Sequence, residues 1–191
     1  SGFPARYGGR LSSVVDVRTA DGNMNKFHGA YRIGLLDASL QFEGPIIKGK
    51  TSYNIGMRRS WMDLLSRPLT KAFSEKDDKL SIGYYFMDLN AKVTHRFSNR
   101  SKIDLSIYHG KDSWDVKQDM NYSKSDWYQE GNSYDREITK SQLDWGNFNV
   151  ALNWNYLFSP KLFSNFTAVY SHNCSKLYSL DDDRNIYPQT H

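Results

Sequence analysis

Between residues 147 and 158 the side chains alternate: Phe148, Val150, Leu152, Trp154, Tyr156 and Phe158 take the even positions, while Asn147, Asn149, Asn153 and Asn155 take odd ones. Successive side chains of a strand point to opposite faces, so a period of two makes this segment a two-faced β-strand. The same period recurs along the chain. Ile103, Leu105 and Ile107 oppose Lys102, Asp104 and Ser106, and Tyr53, Ile55 and Met57 oppose Ser52, Asn54 and Arg58. From 83 to 93 the odd positions run Gly, Tyr, Met, Leu, Ala, Val, and only Tyr84 and Phe86 break the pattern at its beginning. Weaker alternation over 27–33, 38–42 and 163–173 brings the expectation to about seven strands after Asn25, with no sustained helical periodicity anywhere.

Composition narrows what such strands can build. Hydrophobic residues are 39% of the 191, against roughly 45–50% in soluble domains, yet aromatics reach 15%, which a disordered chain lacks. Mean hydropathy is −0.69, and no run of apolar residues is long enough for a helical membrane span. A membrane β-barrel reconciles the two oddities, because alternation averages to a polar chain while girdles at both interfaces raise the aromatic count. Net charge is +4 with both signs interspersed, which excludes the basic stripe that nucleic acid requires. Cys174 is alone, so neither a disulfide nor a cysteine-based zinc site forms within the chain.

A soluble sandwich also alternates, and the connections separate the two. Short polar links near 47–50, 98–101 and 159–161 alternate with long ones, roughly 66–79 and 112–146. Short turns on one rim and long loops on the other are an outer-membrane pattern. Bacterial single-chain barrels use even strand numbers, so about seven strands imply part of a barrel. The fold class expected is therefore all-β, a portion of a large antiparallel transmembrane barrel.

Tyr7-Gly8, the small pair Ser12-Ser13 and the strand-like Val14-Val15-Asp16-Val17-Arg18-Thr19 stand near the start. With their surroundings, from Phe3-Pro4-Ala5-Arg6 to Ala20-Asp21-Gly22, they resemble the end of the plug domain in TonB-dependent outer-membrane receptors. Gly34-Leu35-Leu36, then Leu40 through Ile46, then Arg58-Arg59-Ser60-Trp61 look like the first barrel strands of that family. The resemblance implies the C-terminal end of a plug over 1–25, preceded by plug sequence not in this chain, and the first strands of an incomplete barrel over 26–191. It also implies a location in the outer membrane of a Gram-negative bacterium, with membrane lipid and a small solute as partners. The TonB energy-transducing complex would act through a region outside this chain. Tyr7, Gly8, Gly9 and Arg10 would then sit at the plug-to-barrel junction. A 22-stranded barrel has a lumen wide enough to need a plug, and Asn- and Asp-bearing faces suit a wet interior.

Other motifs have ordinary explanations. Gly44-Pro45-Ile46-Ile47-Lys48-Gly49-Lys50-Thr51 fits the phosphate-loop pattern, but that chemistry needs a helix starting at the lysine. Alternating Ser52-Tyr53-Asn54-Ile55 follows instead, so the segment is expected to be a tight turn that binds no nucleotide. His172 and Cys174 share a strand face but are too few for a metal site. Asp181-Asp182-Asp183 lacks the glycine and distal glutamate of a calcium loop and reads as solvated loop. No catalytic constellation and no cofactor motif appears, so the chain is not expected to be an enzyme. Trp114, Tyr122, Trp127, Tyr128 and Tyr134 are spaced among polar residues in the 112–146 segment, and such rings on a polar loop are candidates for capturing a ligand. The functional expectation is import of a scarce solute with TonB-derived energy, the plug gating the lumen. The alternative is a secreted β-sheet adhesin or carbohydrate-binding module using the same rings.

Overall fold

The computed structural model describes residues 18–74, 78–124 and 133–186. They form one antiparallel sheet whose strands lie in sequence order, each bonded to its neighbours in the chain. The elements are β1 (His28–Ile33), β2 (Asp37–Ile47), β3 (Thr51–Ser60), α1 (Met62–Phe73), β4 (Asp78–Ser98), β5 (Ser101–Lys124), β6 (Ser133–Ser159) and β7 (Leu162–Ile186). The sheet is not closed into a barrel. Residues 18–27 cross it without joining as a strand.

The three short links are turns, as their composition predicts: 48–50, 99–100 and 160–161. At the first, Lys50 N–H donates to the Ile47 carbonyl at 3.0 Å, and Gly49 adopts φ 72°, a left-handed conformation that glycine enters without Cβ strain. Lys50 therefore ends a hairpin turn and begins no helix. These turns share one rim. Toward the other rim the strands differ in length. β2 and β3 have 11 and 10 residues, whereas β4 to β7 have 21 to 27.

Three expectations fail here. The segment 112–146 is not a long loop: β5 runs to Lys124 and β6 starts at Ser133, paired from Lys124↔Ser133 downward. Asp181-Asp182-Asp183 is strand, in register with Thr139, Ile138 and Glu137. Both segments carry polar residues on both faces, so the alternation that marks the lower strands is missing. Thirdly, the link after β3 contains a helix, α1.

α1 sits where β3 has ended and β4 continues with β5 on its other side, and it covers the open backbone edge of β4 with hydroxyls. Ser66 Oγ donates to the Ile82 carbonyl at 2.7 Å, Ser74 Oγ accepts from Leu80 N–H at 2.9 Å, and Thr70 Oγ1 accepts from Ile82 N–H at 3.4 Å. Ser60 Oγ accepts from Phe86 N–H at 2.9 Å. Ser66 and Thr70, four residues apart, share a helix face, and Ser74 follows in extended conformation directly after the helix. An uncovered edge would invite pairing with another chain. The helix start is fixed by Trp61, whose indole donates to the Leu35 carbonyl at 2.7 Å.

No hydrophobic side chain is buried among the described residues. The buried positions are polar, Ser52, Asn54, Thr94 and Asp104 among them. The sheet is thus organised as two unlike faces and not around an apolar core.

Candidate functional site

The polar face is defined by what lies on it. Asn54, Lys92, Thr94, Asp104 and Asn153 share it through the registers Asn54↔Lys92, Thr94↔Asp104 and Asp104↔Asn153, and residues 19–22 run across them. Asp21 bridges two strands, pairing with Lys92 at 2.6 Å and Lys102 at 2.5 Å, and it accepts from Thr94 Oγ1 at 3.3 Å. Asn54 Nδ2 donates to the Ala20 carbonyl at 3.1 Å, and Lys92 Nζ donates to the Thr19 carbonyl at 3.0 Å. Lys92 is only 11% exposed and also lies 3.8 Å from Asp104, which accepts from Asn153 Nδ2 at 2.9 Å. Burial alone would push the Asp21 carboxyl up, but hydrogen bonds from Lys102 and Lys92, together with their charges, bring it down to about 2. Gly22 is pressed onto β3 so closely that a Cβ would run into the Tyr53 carbonyl. The segment then leaves past the first turn, where Met24 carbonyl accepts from Gly49 N–H at 2.9 Å, and enters β1.

The opposite face is apolar in continuous rows across the strands. One row reads Phe42, Ile55, Ala91, Ile107, Val150, Tyr170, and the next Tyr53, Val93, Leu105, Leu152, Ala168. Val150, Leu152, Trp154 and Tyr156 share this face and Asn149, Asn153 and Asn155 the other, the division that the alternation predicts. On β6 the apolar stretch from Phe148 to Phe158 covers about 33 Å of strand at about 3.3 Å per residue. Rings gather toward the turn rim, where Trp154, Tyr156 and Phe158 contact edge to face with centroids 6.0 and 4.6 Å apart, and His95 meets Phe97 at 4.5 Å.

Beyond these rows the faces exchange character. Above Met87 the once apolar face carries Ser113, Asp144 and Lys176 in one row and Ser81, Lys117 and Lys140 in another. The polar face there acquires the row Tyr84, Trp114, Leu143, Leu177. This explains why Tyr84 and Phe86 break the alternation: they lie past the apolar rows. Their neighbours are satisfied, with Tyr84 donating to Asp112 and Tyr108 to Asp88, both at 2.9 Å, and the Arg58 guanidinium 4.4 Å over the Phe86 ring.

Of the residues singled out for ligand capture, Trp114 is 39% exposed in the middle of β5, on a strand and not on a loop. Tyr122 and Tyr134 lie in the backbone ladders of β5 and β6, in register with Asp135 and Ser123. Trp127 and Tyr128 fall outside the described residues, as do Tyr7, Gly8, Gly9 and Arg10. Among the described residues no group of side chains could hold a metal ion. Sequence reasoning missed the Asp21–Lys92–Lys102 cluster, because only the register of β4 and β5 brings those positions together. No family model, no curated protein and no solved structure matches this chain.

Proposed function

We propose that this chain is part of a TonB-dependent outer-membrane receptor: the end of its plug, followed by the first seven strands of a transmembrane barrel that imports a scarce solute. The observation that carries the reading is the inverted burial. No hydrophobic side chain is buried among the described residues while Ser52, Asn54, Thr94 and Asp104 are, and Phe42, Ile55, Met57, Val93, Leu105 and Trp154 of the apolar face are exposed. Each such side chain gains ~1.5–3 kcal/mol when removed from water, so a sheet of this kind in water would forgo tens of kcal/mol. Lipid removes that cost. The β6 stretch, about 33 Å long, gives about 25 Å of depth at a strand tilt of about 40°, the height of a barrel's apolar band. Strands that continue past the apolar rows would stand outside the membrane, and the short turns would lie on the periplasmic side.

The polar face with residues 18–22 salt-bridged across it would be the lumen side. In this reading the plug leads into β1 along the inner wall, and outer loops capture solute before the plug moves. TonB supplies the energy through a region outside this chain, and no covalent chemistry is involved. Fractionation of cells expressing the protein from its gene tests the location. Recovery in the outer membrane, with slower or faster gel migration before heating than after, supports a barrel. Recovery as a soluble secreted protein would replace it with the adhesin reading.

A further inference from the structure

The face crossed by residues 18–22 is charged on two strands and uncharged on the next two. On β4 and β5 it holds Lys92 and Lys102, which fasten the crossing segment through Asp21, and the carboxylates Asp88, Asp104 and Asp112. On β6 and β7 the same face takes the odd positions, 143–155 and 165–177, in register with each other, and no side chain there is ionisable. Asparagine dominates instead, at Asn147, Asn149, Asn153, Asn155, Asn165 and Asn173. Asn147 lies directly opposite Asn173, and Asn155 opposite Asn165. Asn153 is engaged, donating to Asp104 at 2.9 Å and accepting from Thr167 Oγ1 at 3.0 Å. The other five amides make no side-chain hydrogen bond to the described residues. At the outer end of this ladder stand two indoles, Trp145 on β6 and Trp114 on β5, the latter opposite Leu143.

A free carboxamide offers two N–H donors and a carbonyl acceptor. Whatever displaces water from it has to supply both kinds of partner, or the amide is left unpaired. A hydroxyl donates and accepts at once, whereas a carboxylate only accepts and an ammonium only donates, and neither ion finds an opposite charge on β6 or β7. An apolar solute would strip the amides of water and return nothing. We propose that the solute is a neutral oligosaccharide, met by the Trp114 and Trp145 rings and led along the amides of β6 and β7. The proposal rests on the receptor reading, which puts this face inside the barrel, and adds the chemical class of the cargo. A sugar ring carries hydroxyls at its rim and a flat C–H face. The indoles give that face a broad, rigid, apolar surface at low entropic cost.

The test uses the full-length protein, expressed from its gene in energised cells. Tritium-labelled oligosaccharide pools from neutral glucans, mannans, xylans and galactans are compared with oligouronate pools and with ferric chelates. Saturable binding and uptake of a neutral pool are expected, with oligouronates and chelates excluded. Trp114→Ala is expected to weaken that binding roughly tenfold. Asn149→Asp with Asn173→Asp puts two carboxylates on the wall with little change of shape. The uptake ratio between the accepted sugar and its aminated, cationic derivative is expected to shift roughly tenfold toward the cation. An unchanged ratio means that the amides meet the plug and not the cargo, and overturns the proposal. Absence of binding by every neutral pool, or preference for a charged one, overturns it as well. Membrane recovery and heat-dependent gel mobility are read on the same samples. A protein found in the outer membrane that prefers a charged solute fails this proposal alone, and one absent from the membrane fails the receptor reading with it.

Discussion

Lys92 sits between two carboxylates and a backbone carbonyl with little exposure to water, so its ammonium is the fastening on which residues 19–21 depend. Lys92→Met takes one of two cations from Asp21, which keeps Lys102, and leaves Asp104 with Asn153 alone, and it is expected to destabilise by about 1–3 kcal/mol, read in denaturant unfolding of the purified protein. Asp21 gives the pH dependence its sign. Its carboxyl is held at about 2 in the folded chain against an ordinary 3.8. Its contribution is therefore complete above about pH 4 and lost as pH falls toward about 2. Hydrogen exchange of residues 18–23 should rise through that window, and Asp21→Asn should raise exchange at neutral pH and flatten the response. On the bare face the expectation depends on depth. Leu152→Arg, in the row with Tyr53, Val93 and Leu105, is expected to cost ~2–4 kcal/mol in a bilayer. Asn149→Arg on the opposite face should cost less than half as much, and equal costs would reverse the face assignment.

At the scale of elements, α1 does the work of a missing strand with three side chains. Replacing Ser66, Thr70 and Ser74 by alanine returns the Leu80 and Ile82 backbone groups to water or to other partners. Amide exchange at Leu80 should accelerate by roughly tenfold, about 1.4 kcal/mol of protection, with β5 to β7 unaffected. The helix was hard to read from sequence because Pro68 lies inside it and its sheet-facing side is hydroxyl, not apolar; the fourfold spacings Leu65, Leu69, Phe73 and Ser66, Thr70, Ser74 were the available signal. Strands in the apolar region were legible because a bare face and a wet face demand opposite side chains. Past Lys111 and Asp144 that contrast reverses at the row Tyr84, Trp114, Leu143, Leu177 and then fades, and polar residues on both sides resemble a loop. The Gly44 to Thr51 motif was readable as a turn from the alternation after it. Lys50→Ala is accordingly expected to leave ATP binding unmeasurable in both proteins, and saturable magnesium-dependent binding that the variant abolishes would contradict that. The site was less legible than the fold. Asp21 meets Lys92 and Lys102 across 71 and 81 positions of chain, and no local pattern announces such a pairing.

For the molecule as a whole, the proposed function separates capture from import. Trp127→Ala with Tyr128→Ala should weaken surface binding of a labelled solute, roughly tenfold for each 1.4 kcal/mol of binding free energy removed. Changes at Tyr7 to Arg10 should reduce uptake with binding retained. Uptake that persists without proton-motive force would point to a passive pore.

The sequential order of the strands carries a further consequence for assembly. Each new strand need only find the one made just before it, so the loop to be closed at every step is small and its entropic cost low. Within the described sheet the growing end is always the newest strand, while β1 stays at the other edge as β2 to β7 are added. That waiting edge is only six residues long, His28–Ile33. Among the described strands it is the shortest, so at that edge of the sheet the fewest backbone hydrogen bonds have to part, and unzipping of the sheet would start there.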